Sequence, residues 1–299
     1  ALARGMLAKA ETIDLDVHAV DIVGTGGDQQ NTVNISTMAA LVIAGTGATV
    51  VKHGNRASTS KSGSADVLEA LGIQLDMPIK SVAACARQVG ITFLFAMTFH
   101  PSMRFVGPTR KMLGIPTAFN YLGPMTNPAR VSSSAIGVAN PQMVEKMAWV
   151  FANRGDHALV FRGDDGLDEL TIATTSQIWE ASGGTLQKYV FNPEGYGIER
   201  SSLDNLRGGD AEYNASVFRA VLAGEGESAK DSLHAIRNAV LINAAAGLIA
   251  YRKNDGRSFE ERYTEALADA RQSIDTGAAA QVLNAWVEFS HLVVETPSP

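Results

Sequence analysis

Three glycines follow an early apolar run of this 299-residue chain, in the stretch DIVGTGGD at residues 21–28. A helix is predicted to begin near Ser36, so free backbone N–H groups and the positive end of a helix dipole would face this turn. Because glycine has no side chain, an anionic group can approach the main chain closely there. The stretch therefore predicts a phosphate-binding loop that is built from the backbone.

Two commoner glycine motifs do not fit this loop. A dinucleotide-binding fingerprint needs a third glycine at the start of the helix, whereas here Asp28 follows the glycine pair. A Walker A loop needs lysine followed by serine or threonine, and the loop contains no lysine. Taken alone, the stretch fits an ordinary strand-to-helix turn equally well. The later pair Gly45 and Gly47 is predicted to end the helix.

A second polar loop, KHGNRASTS at residues 52–60, follows the apolar run at residues 48–51. Its cations are Lys52 and Arg56, with Lys61 directly after it, and it contains no large apolar residue. Cations beside hydroxyl and backbone donors are typical of polyanion sites. A solvated surface loop is the alternative. Binding is favoured because open α/β sheets bind ligands at neighbouring strand ends.

An acidic turn, GDDGLDE at residues 163–169, follows another predicted strand. Its four carboxylates would repel one another unless water or a cation separates them. Oxygen ligands without a histidine or cysteine indicate Mg²⁺ and not zinc. The spacing does not match an EF-hand loop, and a solvated acidic turn stays an equal alternative on this evidence.

Other catalytic patterns are absent from the sequence. The six histidines show no metal-binding spacing, no G-x-S-x-G motif occurs, and Cys85 lies in an apolar stretch that does not suit a nucleophile. His53 and His100 fall in loops near the predicted site, and we expect them only to line it. Arg110, on a predicted helix, is by itself typical of a solvated or paired surface arginine.

Composition limits the function classes. A hydrophobic fraction of 45% and a charged fraction of 19% are typical of a folded soluble protein. The net charge of −6 argues against nucleic-acid binding as the main role. A single cysteine excludes an internal disulfide and fits a reducing cytoplasm. The apolar run 239–251 is interrupted by Asn243 and is predicted to be too short for a membrane span.

Strands and helices alternate along most of the chain, which predicts an α/β fold with a mostly parallel sheet. The helix after the glycine loop is apolar on every side, so we expect it to be buried. A β-hairpin is predicted around Gly183 and Gly184, and helical periodicity follows it. Strands are predicted near residues 19–23, 48–51, 91–96, 133–139 and 158–161, and later helices at 210–222, 229–251, 259–273 and 277–294.

The motifs together resemble one known family. The glycine loop, the Asn-Ile-Ser-Thr stretch at residues 34–37, the KHGNR stretch and the acidic turn closely resemble anthranilate phosphoribosyltransferases. The stretches GPMTNP at 123–128 and IDTGA at 274–278 are similar to that family too. Because four separate motifs occur in the same order, the resemblance covers essentially the whole chain.

The resemblance implies a small all-helical lobe beside a larger α/β domain. Residues 1–17 with about 98–121 would form the helical lobe, and residues 18–97 with 122–299 the α/β domain that binds phosphoribosyl diphosphate. Family members begin with several helices before the first strand, so an N-terminal segment is expected to be missing here. The resemblance further implies a cytoplasmic homodimer whose subunits meet through the helical lobe.

The resemblance also implies the site residues. The donor 5-phosphoribosyl-1-pyrophosphate (PRPP) would be bound by Gly24, Gly27, Asp28, Thr32, Asn34, Ile35, Ser36, Thr37, Lys52, His53, Gly54, Asn55, Arg56, Ala57, Ser58, Thr59, Ser60 and Ser64. Anthranilate would contact Gly24, Asn55 and Arg110. One or two Mg²⁺ ions would be bound by Ser36, Asp168 and Glu169. No catalytic acid or base is assigned.

The implied reaction transfers the phosphoribosyl group to the amine of anthranilate in tryptophan biosynthesis, with N-(5-phosphoribosyl)anthranilate and pyrophosphate as products. One alternative is an enzyme like the pyrimidine nucleoside phosphorylases, which share the architecture and a related glycine loop. The KHGNR stretch and Arg110 argue against it. Another alternative is a non-enzymatic relative that binds nucleic acid, which the acidic balance disfavours. Neither nucleic acid nor membrane is expected as a partner.

Overall fold

The computed structural model describes residues 2–57, 61–113, 115, 117–226, 232–252 and 254–295. Within these residues seven strands form one sheet in the order β3-β2-β1-β4-β5-β6-β7. The first five strands of the chain run parallel, and the last two are antiparallel. The strands are β1 Val20–Gly24, β2 Val50–Gly54, β3 Ile91–Phe95, β4 Ser133–Gly137, β5 His157–Gly163, β6 Ser176–Ser182 and β7 Thr185–Phe191. The predicted α/β class with a mostly parallel sheet is confirmed.

Helices cover both faces of the sheet, which explains why the parallel strands are apolar along their length. The helices are α1 Leu2–Leu7, α2 Ile35–Gly45, α3 Ser64–Ala70, α4 Ile79–Val89, α5 Ala96–Phe99, α6 Gly107–Leu113, α7 Phe119–Leu122, α8 Pro141–Arg154, α9 Ala211–Leu222, α10 Ser232–Tyr251, α11 Phe259–Asp275 and α12 Ala278–Glu295. One apolar cluster packs α2, α10, α11 and α12 against the sheet, and another packs α8 against β4 and β5.

The helix that follows the glycine loop, α2, is buried as predicted. Its residues from Met38 to Ala44 are at most 5% exposed. Helix α10 packs against it closely, since a side chain at Gly247 would lie 2.3 Å from Ile43 of α2. The two helices therefore form the centre of the larger apolar cluster.

The sheet changes its direction of winding at β1. The chain passes from β1 to β2 and β3 on one side, and later returns to place β4 on the other side of β1. In doubly wound sheets, ligands bind outside the carboxyl ends of the strands at this point. Here those two ends are Gly24 and Gly137, which are paired in register.

The predicted hairpin is present as β6 and β7, joined by Gly183 and Gly184. Both glycines have positive φ, 57° and 79°, as a tight hairpin turn requires. Helix α11 holds the hairpin, because Arg262 donates hydrogen bonds from both terminal nitrogens to the carboxylate of Glu180 at 2.7 and 2.8 Å.

Helix α10 is longer than the apolar run at 239–251 suggested. It extends for 20 residues and is long and apolar enough to cross a membrane, so the argument that it is too short was wrong. However, 83% of its most apolar window is buried inside the protein. We conclude that α10 is the central core helix. Residues 229–231, where the helix was predicted to begin, lie outside the described residues.

The segment between β3 and β4 is built from short helical pieces. It contains α5, α6 and α7 together with 3₁₀ turns at Pro101–Phe105 and Gly123–Met125. The start of the chain lies against it, since Glu11 N–H donates to the carbonyl of Phe99 at 2.9 Å. The exact division into a helical lobe and an α/β domain stays a prediction.

Candidate functional site

The glycine loop leaves the carboxyl end of β1 with an unusual backbone. Gly26 and Gly27 have positive φ, 69° and 85°. Two residues with side chains, Gln29 and Asn31, also have positive φ, 61° and 52°. Left-handed residues other than glycine are uncommon and concentrate at ligand-binding loops. The loop therefore has the backbone geometry expected of an anion-binding turn.

The first turn of α2 has no side-chain cap. Asn34 occupies the capping position, yet its side chain makes no hydrogen bond to the helix. Its amide instead donates to the carbonyl of Ser62 and accepts from Asn214, at 3.1 and 2.9 Å. The N–H groups of Ile35 and Thr37 donate to the carbonyls of Val33 and Asn34 at 2.7 and 3.1 Å, so this turn offers an anion mainly the positive end of the helix dipole on the side of the glycine loop.

The acidic turn meets the glycine loop directly at the carboxyl ends of β1 and β4. Gly26 N–H donates to Oδ2 of Asp168 at 2.6 Å. A side chain at Gly24 would lie 2.3 Å from that same oxygen, and one at Gly137 would lie 1.7 Å from the Asp168 carbonyl. Glycine at both strand ends is therefore a requirement of packing, and it lets the turn enter the crevice.

The four carboxylates of the acidic turn do not act as one set. Asp165 accepts hydrogen bonds from Leu167 N–H and the Thr171 hydroxyl, at 3.1 and 2.6 Å. Asp164 accepts from Thr175 and from Gln177. These two carboxylates are therefore occupied within the turn and its neighbourhood, and only Asp168 and Glu169 are buried beside the glycine loop.

The buried pair carries more negative charge than its surroundings balance. Burial raises the pKa of Glu169 to about 7, although nearby Lys52 and Ser36 lower it. Burial, together with the charges of Asp28 and Glu169, raises the pKa of Asp168 well above its usual range. Among the described residues Oε2 of Glu169 has no hydrogen-bond partner. A buried, unpartnered carboxylate oxygen favours binding of a cation here.

The donor set fits Mg²⁺. It consists of two carboxylates and the hydroxyl of Ser36, all hard oxygen ligands. In the described part of the chain, three or more histidine, cysteine or acidic side chains are nowhere grouped as a complete metal site. This is the situation expected for Mg²⁺, which in proteins is usually held by one or two carboxylates, with waters and substrate phosphates completing its shell.

The structure corrects the start of the predicted second loop, because Lys52, His53 and Gly54 belong to β2, so His53 is not a loop residue. The cations Lys52, Arg56 and Lys61 differ in their surroundings. Lys52 is 1% exposed and donates to the carbonyl of Ile22 and the hydroxyl of Ser36. Burial lowers its pKa, while the charges of Asp21 and Glu169 raise it. Lys61 is exposed.

Arg56 is paired within the protein. Its guanidinium bonds to Asp66 and Glu69 of α3, and hydrogen bonds to these two side chains raise the pKa of Arg56. In this conformation its charge is balanced by α3.

The backbone of the second loop folds over the start of α3. The carbonyl of Asn55 accepts from the Ser64 hydroxyl and from Ala65 N–H, both at 3.2 Å. Ala57 N–H donates to Asp66 at 2.9 Å. Gly54 lies so close to Ser64 that a side chain would be 2.4 Å from its hydroxyl. The predicted residues Ser58, Thr59 and Ser60 lie outside the described residues.

Two histidines join the second loop to the helical segment. The rings of His53 and His100 are 5.0 Å apart, and they bond to the carbonyls of Gly123 and Thr126 at 3.1 and 3.0 Å. Burial and then the neighbouring His100 lower the pKa of His53 to about 3. Burial also lowers the pKa of His100. Both rings are therefore neutral at pH 7.

The remaining predicted residues occupy these same segments, except Arg110. Arg110 is half-buried on α6, with its guanidinium 5.7 Å from the ring centroid of Phe119. It donates to the side chain of Asn120 at 3.4 Å. Gly24 and Asn55, which are predicted to contact anthranilate together with Arg110, lie at the end of β1 and directly after β2. The role of Arg110 stays a prediction, as do the roles of the other predicted binding residues.

A buried polar network around Asp21 lies next to the site. It was not predicted from the sequence. Asp21 accepts from His53 N–H at 3.1 Å and from the side chain of Asn127 at 2.9 Å. Burial raises the pKa of Asp21 to about 6, although Lys52 lowers it. A single carboxylate inside an apolar strand was the available signal, because such a group must find partners when it is buried.

The chain matches the model of a known family. Residues 16–280 match the family described as "Glycosyl transferase family, a/b domain". The anthranilate phosphoribosyltransferase of Arthrobacter sp. (strain FB24) is 56% identical over 289 residues, which are 97% of this chain and 80% of that protein.

Solved structures of the same kind superpose closely. The anthranilate phosphoribosyltransferase of Thermus thermophilus has a TM-score of 0.88 at 39% identity, over 97% of this chain and 83% of that one. The Saccharomyces cerevisiae enzyme, solved in complex with PRPP and Mg, has a TM-score of 0.86 at 30% identity, with coverages of 97% and 78%.

Proposed function

The chain belongs to the glycosyl transferase family with the a/b domain, and on this basis we propose that it transfers the phosphoribosyl group of PRPP to anthranilate. The products are N-(5-phosphoribosyl)anthranilate and pyrophosphate, and the reaction serves tryptophan biosynthesis. The observation that carries the proposal is the position of Asp168, which lies between the terminal glycines of β1 and β4 and contacts the glycine loop. That crevice joins an anion-binding backbone to a buried carboxylate pair.

The glycine loop and the first turn of α2 bind the diphosphate of the donor. Backbone N–H groups that the fold already holds in place need no reorientation as negative charge builds up on the leaving group, although Gly26 N–H already bonds to Asp168. Ser36, Asp168 and Glu169 would hold one or two Mg²⁺ ions, and the metal would supply positive charge against the diphosphate. These residues supply hard oxygen atoms, which are the ligands that Mg²⁺ prefers.

Anthranilate occupies the side of the crevice near the second loop and α6. Arg110 binds its carboxylate, since a guanidinium matches a carboxylate with two parallel hydrogen bonds. Asn55 and Gly24 complete the contact. The amine then attacks C1 of the ribose as the bond to the diphosphate breaks. No described side chain is assigned as a general base, so orientation of the two substrates supplies most of the rate.

Two copies of the chain associate through the helical lobe in this proposal. Six exposed apolar side chains in or beside that lobe support it, because such residues on one region mark an interface. They are Leu2, Met97, Phe105, Met112, Leu113 and Ile115, each at least 54% exposed. Light scattering coupled to size exclusion would give the mass of two chains. The buried, free Cys85 is compatible with a cytoplasmic location.

A fluorescence assay tests the reaction itself. With PRPP and Mg²⁺ present, we expect the fluorescence of anthranilate to fall as it is consumed, and omission of either to stop the loss. The matched control replaces both substrates by thymidine and inorganic phosphate. Release of thymine in that control, without consumption of anthranilate, would identify a nucleoside phosphorylase and contradict the proposal.

A further inference from the structure

One asparagine interrupts the apolar middle of α10. Asn243 is completely buried, and the residues from Ala239 to Ile242 and from Ala244 to Gly247 are buried and apolar or glycine. Placing an amide in such a position costs free energy unless its donors and acceptor are satisfied. The bonds that Asn243 makes therefore indicate what it does.

Asn243 hydrogen-bonds to both backbone groups of Leu170, the residue that directly follows the acidic turn. Its side-chain oxygen accepts from Leu170 N–H at 2.9 Å, and its amide donates to the Leu170 carbonyl at 3.0 Å. The second donor bonds to Ala239 within α10 at 2.9 Å. The Leu170 N–H belongs to the peptide group that follows Glu169. Asn243 thus fixes both peptide planes around Leu170, and with them the direction in which Glu169 leaves the main chain.

Glu169 and Asp168 are held in different ways. Asp168 is held by Gly26 N–H and by its close packing against Gly24 and Gly137. Glu169 bonds to the hydroxyl and the backbone of Ser36, while its Oε2 has no hydrogen-bond partner in the described residues. Its position therefore depends on the contact with Ser36 together with the main chain that Asn243 holds.

Helix α10 also contacts the element that carries Ser36. Gly247, one turn after Asn243, packs against Ile43 of α2, and Ser36 lies in the first turn of that helix. One helix thus holds the acidic turn through Asn243 and α2 through Gly247. Helix α10 therefore contacts both of the elements that carry Ser36 and Glu169.

We propose that Asn243 is a positioning residue that holds Glu169 at the correct distance from Ser36 to bind a divalent cation. The proposal rests on the function proposed above, since it assumes that these oxygens bind Mg²⁺. Residues that orient metal ligands typically change metal affinity by about 10–100-fold when they are removed. We therefore expect Asn243→Leu, which keeps the branching of the side chain at Cγ and removes its polar atoms, to raise the Mg²⁺ requirement at least about tenfold.

The experiment measures donor binding without turnover. PRPP is titrated calorimetrically into the protein at a series of Mg²⁺ concentrations, with no anthranilate present. We expect Asn243→Leu to need about tenfold more Mg²⁺ than the wild type for half of its maximal PRPP affinity, with a similar affinity at saturating Mg²⁺. Asn238→Leu is the matched control, because Asn238 is buried on the same helix and makes no hydrogen bond to the described acidic turn. It should match the wild type.

Each result separates the two proposals. Identical Mg²⁺ dependence in the wild type and in Asn243→Leu would overturn the role of Asn243 and leave the proposed function intact. A wild type whose PRPP binding ignores Mg²⁺ would overturn the metal site, and the role of Asn243 with it. Asn243→Ser, which removes the same bonds to Leu170 with a smaller side chain, is titrated in parallel in case the leucine variant does not fold.

Discussion

Two glutamates buried in this molecule have opposite surroundings. Glu180 lies on β6 beside the amino-terminal half of β5. It accepts two hydrogen bonds from Arg262, and its carboxylate lies 3.0 Å from Nε2 of His157. Although burial opposes it, these partners lower the pKa of Glu180 to about 2. Glu169, beyond the carboxyl end of β5, has one unpartnered oxygen among the described residues, and its pKa is raised to about 7.

The difference separates a structural charge from a functional one. At Glu180 the protein supplies the opposite charge itself, so the group is satisfied when the chain is folded. At Glu169 the opposite charge comes, among the described residues, from Lys52, which also faces Asp21. Strongly shifted pKa values in a crevice are typical of sites that act on ligands. The contrast between Glu180 and Glu169 therefore favours ligand binding at the carboxyl ends of the strands.

The largest effect is expected at the crevice. Replacing Asp168 by Asn together with Glu169 by Gln removes both negative charges, and we expect Mg²⁺-dependent turnover to fall by about a thousandfold. Steady-state rates across a Mg²⁺ titration measure this. Asp164→Asn is the matched control, because that carboxylate bonds to Thr175 and Gln177. Unchanged turnover in the double variant would show that Asp168 and Glu169 do not serve the reaction.

The next largest effect is on stability. Glu180→Gln leaves the Arg262 guanidinium buried without its counter-charge, and we expect a loss of about 3–5 kcal/mol in the free energy of unfolding. Urea unfolding followed by circular dichroism would measure the loss. The KM for PRPP, measured where the variant is still folded, should stay unchanged. A raised KM without a loss of stability would show that this glutamate also serves the site.

A smaller effect is expected at α6, and it distinguishes the two substrates within the crevice. Arg110→Ala removes the proposed partner of the anthranilate carboxylate. A charged, hydrogen-bonded pair of this kind contributes about 2 kcal/mol to binding. We expect the KM for anthranilate to rise at least about tenfold, with little change in the KM for PRPP. An equal rise in both KM values, from initial rates with each substrate varied, would refute the assignment.

The smallest effect concerns stability in mild acid. The pKa of Glu180 is lowered from 4.5 to about 2 in the folded protein, so its stabilising contribution is complete above pH 4.5 and is lost as the pH falls towards 2. Thermal unfolding midpoints measured between pH 6 and pH 3 should therefore decline in the wild type. Glu180→Gln should show a shallower decline, and parallel curves for the two proteins would contradict the low pKa.

Much of the fold could be predicted from local pattern. The apolar runs that end in glycine indicated β1, β2 and the buried helix α2, because burial and turn chemistry are determined by neighbouring residues. The helix predicted at 229–251 is present as α10, which begins at Ser232 in the described residues, but the run at 239–251 alone understated how much of this helix is apolar enough for a membrane span. The sequence pattern of a helix does not show which of its faces the other elements will bury.

The site was harder to predict, because its contacts join distant residues. The Asn243 side chain meets Leu170 across 73 positions, and nothing in either neighbourhood indicates the pair. The pairing of Arg56 with α3 was equally hidden, so the composition of its loop suggested a free cation. Arg110 was identified only through the family resemblance, since a lone arginine on a helix has no distinguishing pattern.

The closeness of Asp168 to Gly24 and Gly137 has a consequence for how this sequence can vary over time. Even one added methyl group at either glycine would overlap atoms of the aspartate. Substitutions there are excluded by simple lack of space, before any question of reactivity arises. A larger residue at Gly137 would have to displace the backbone of Asp168, and one at Gly24 would have to displace its carboxylate.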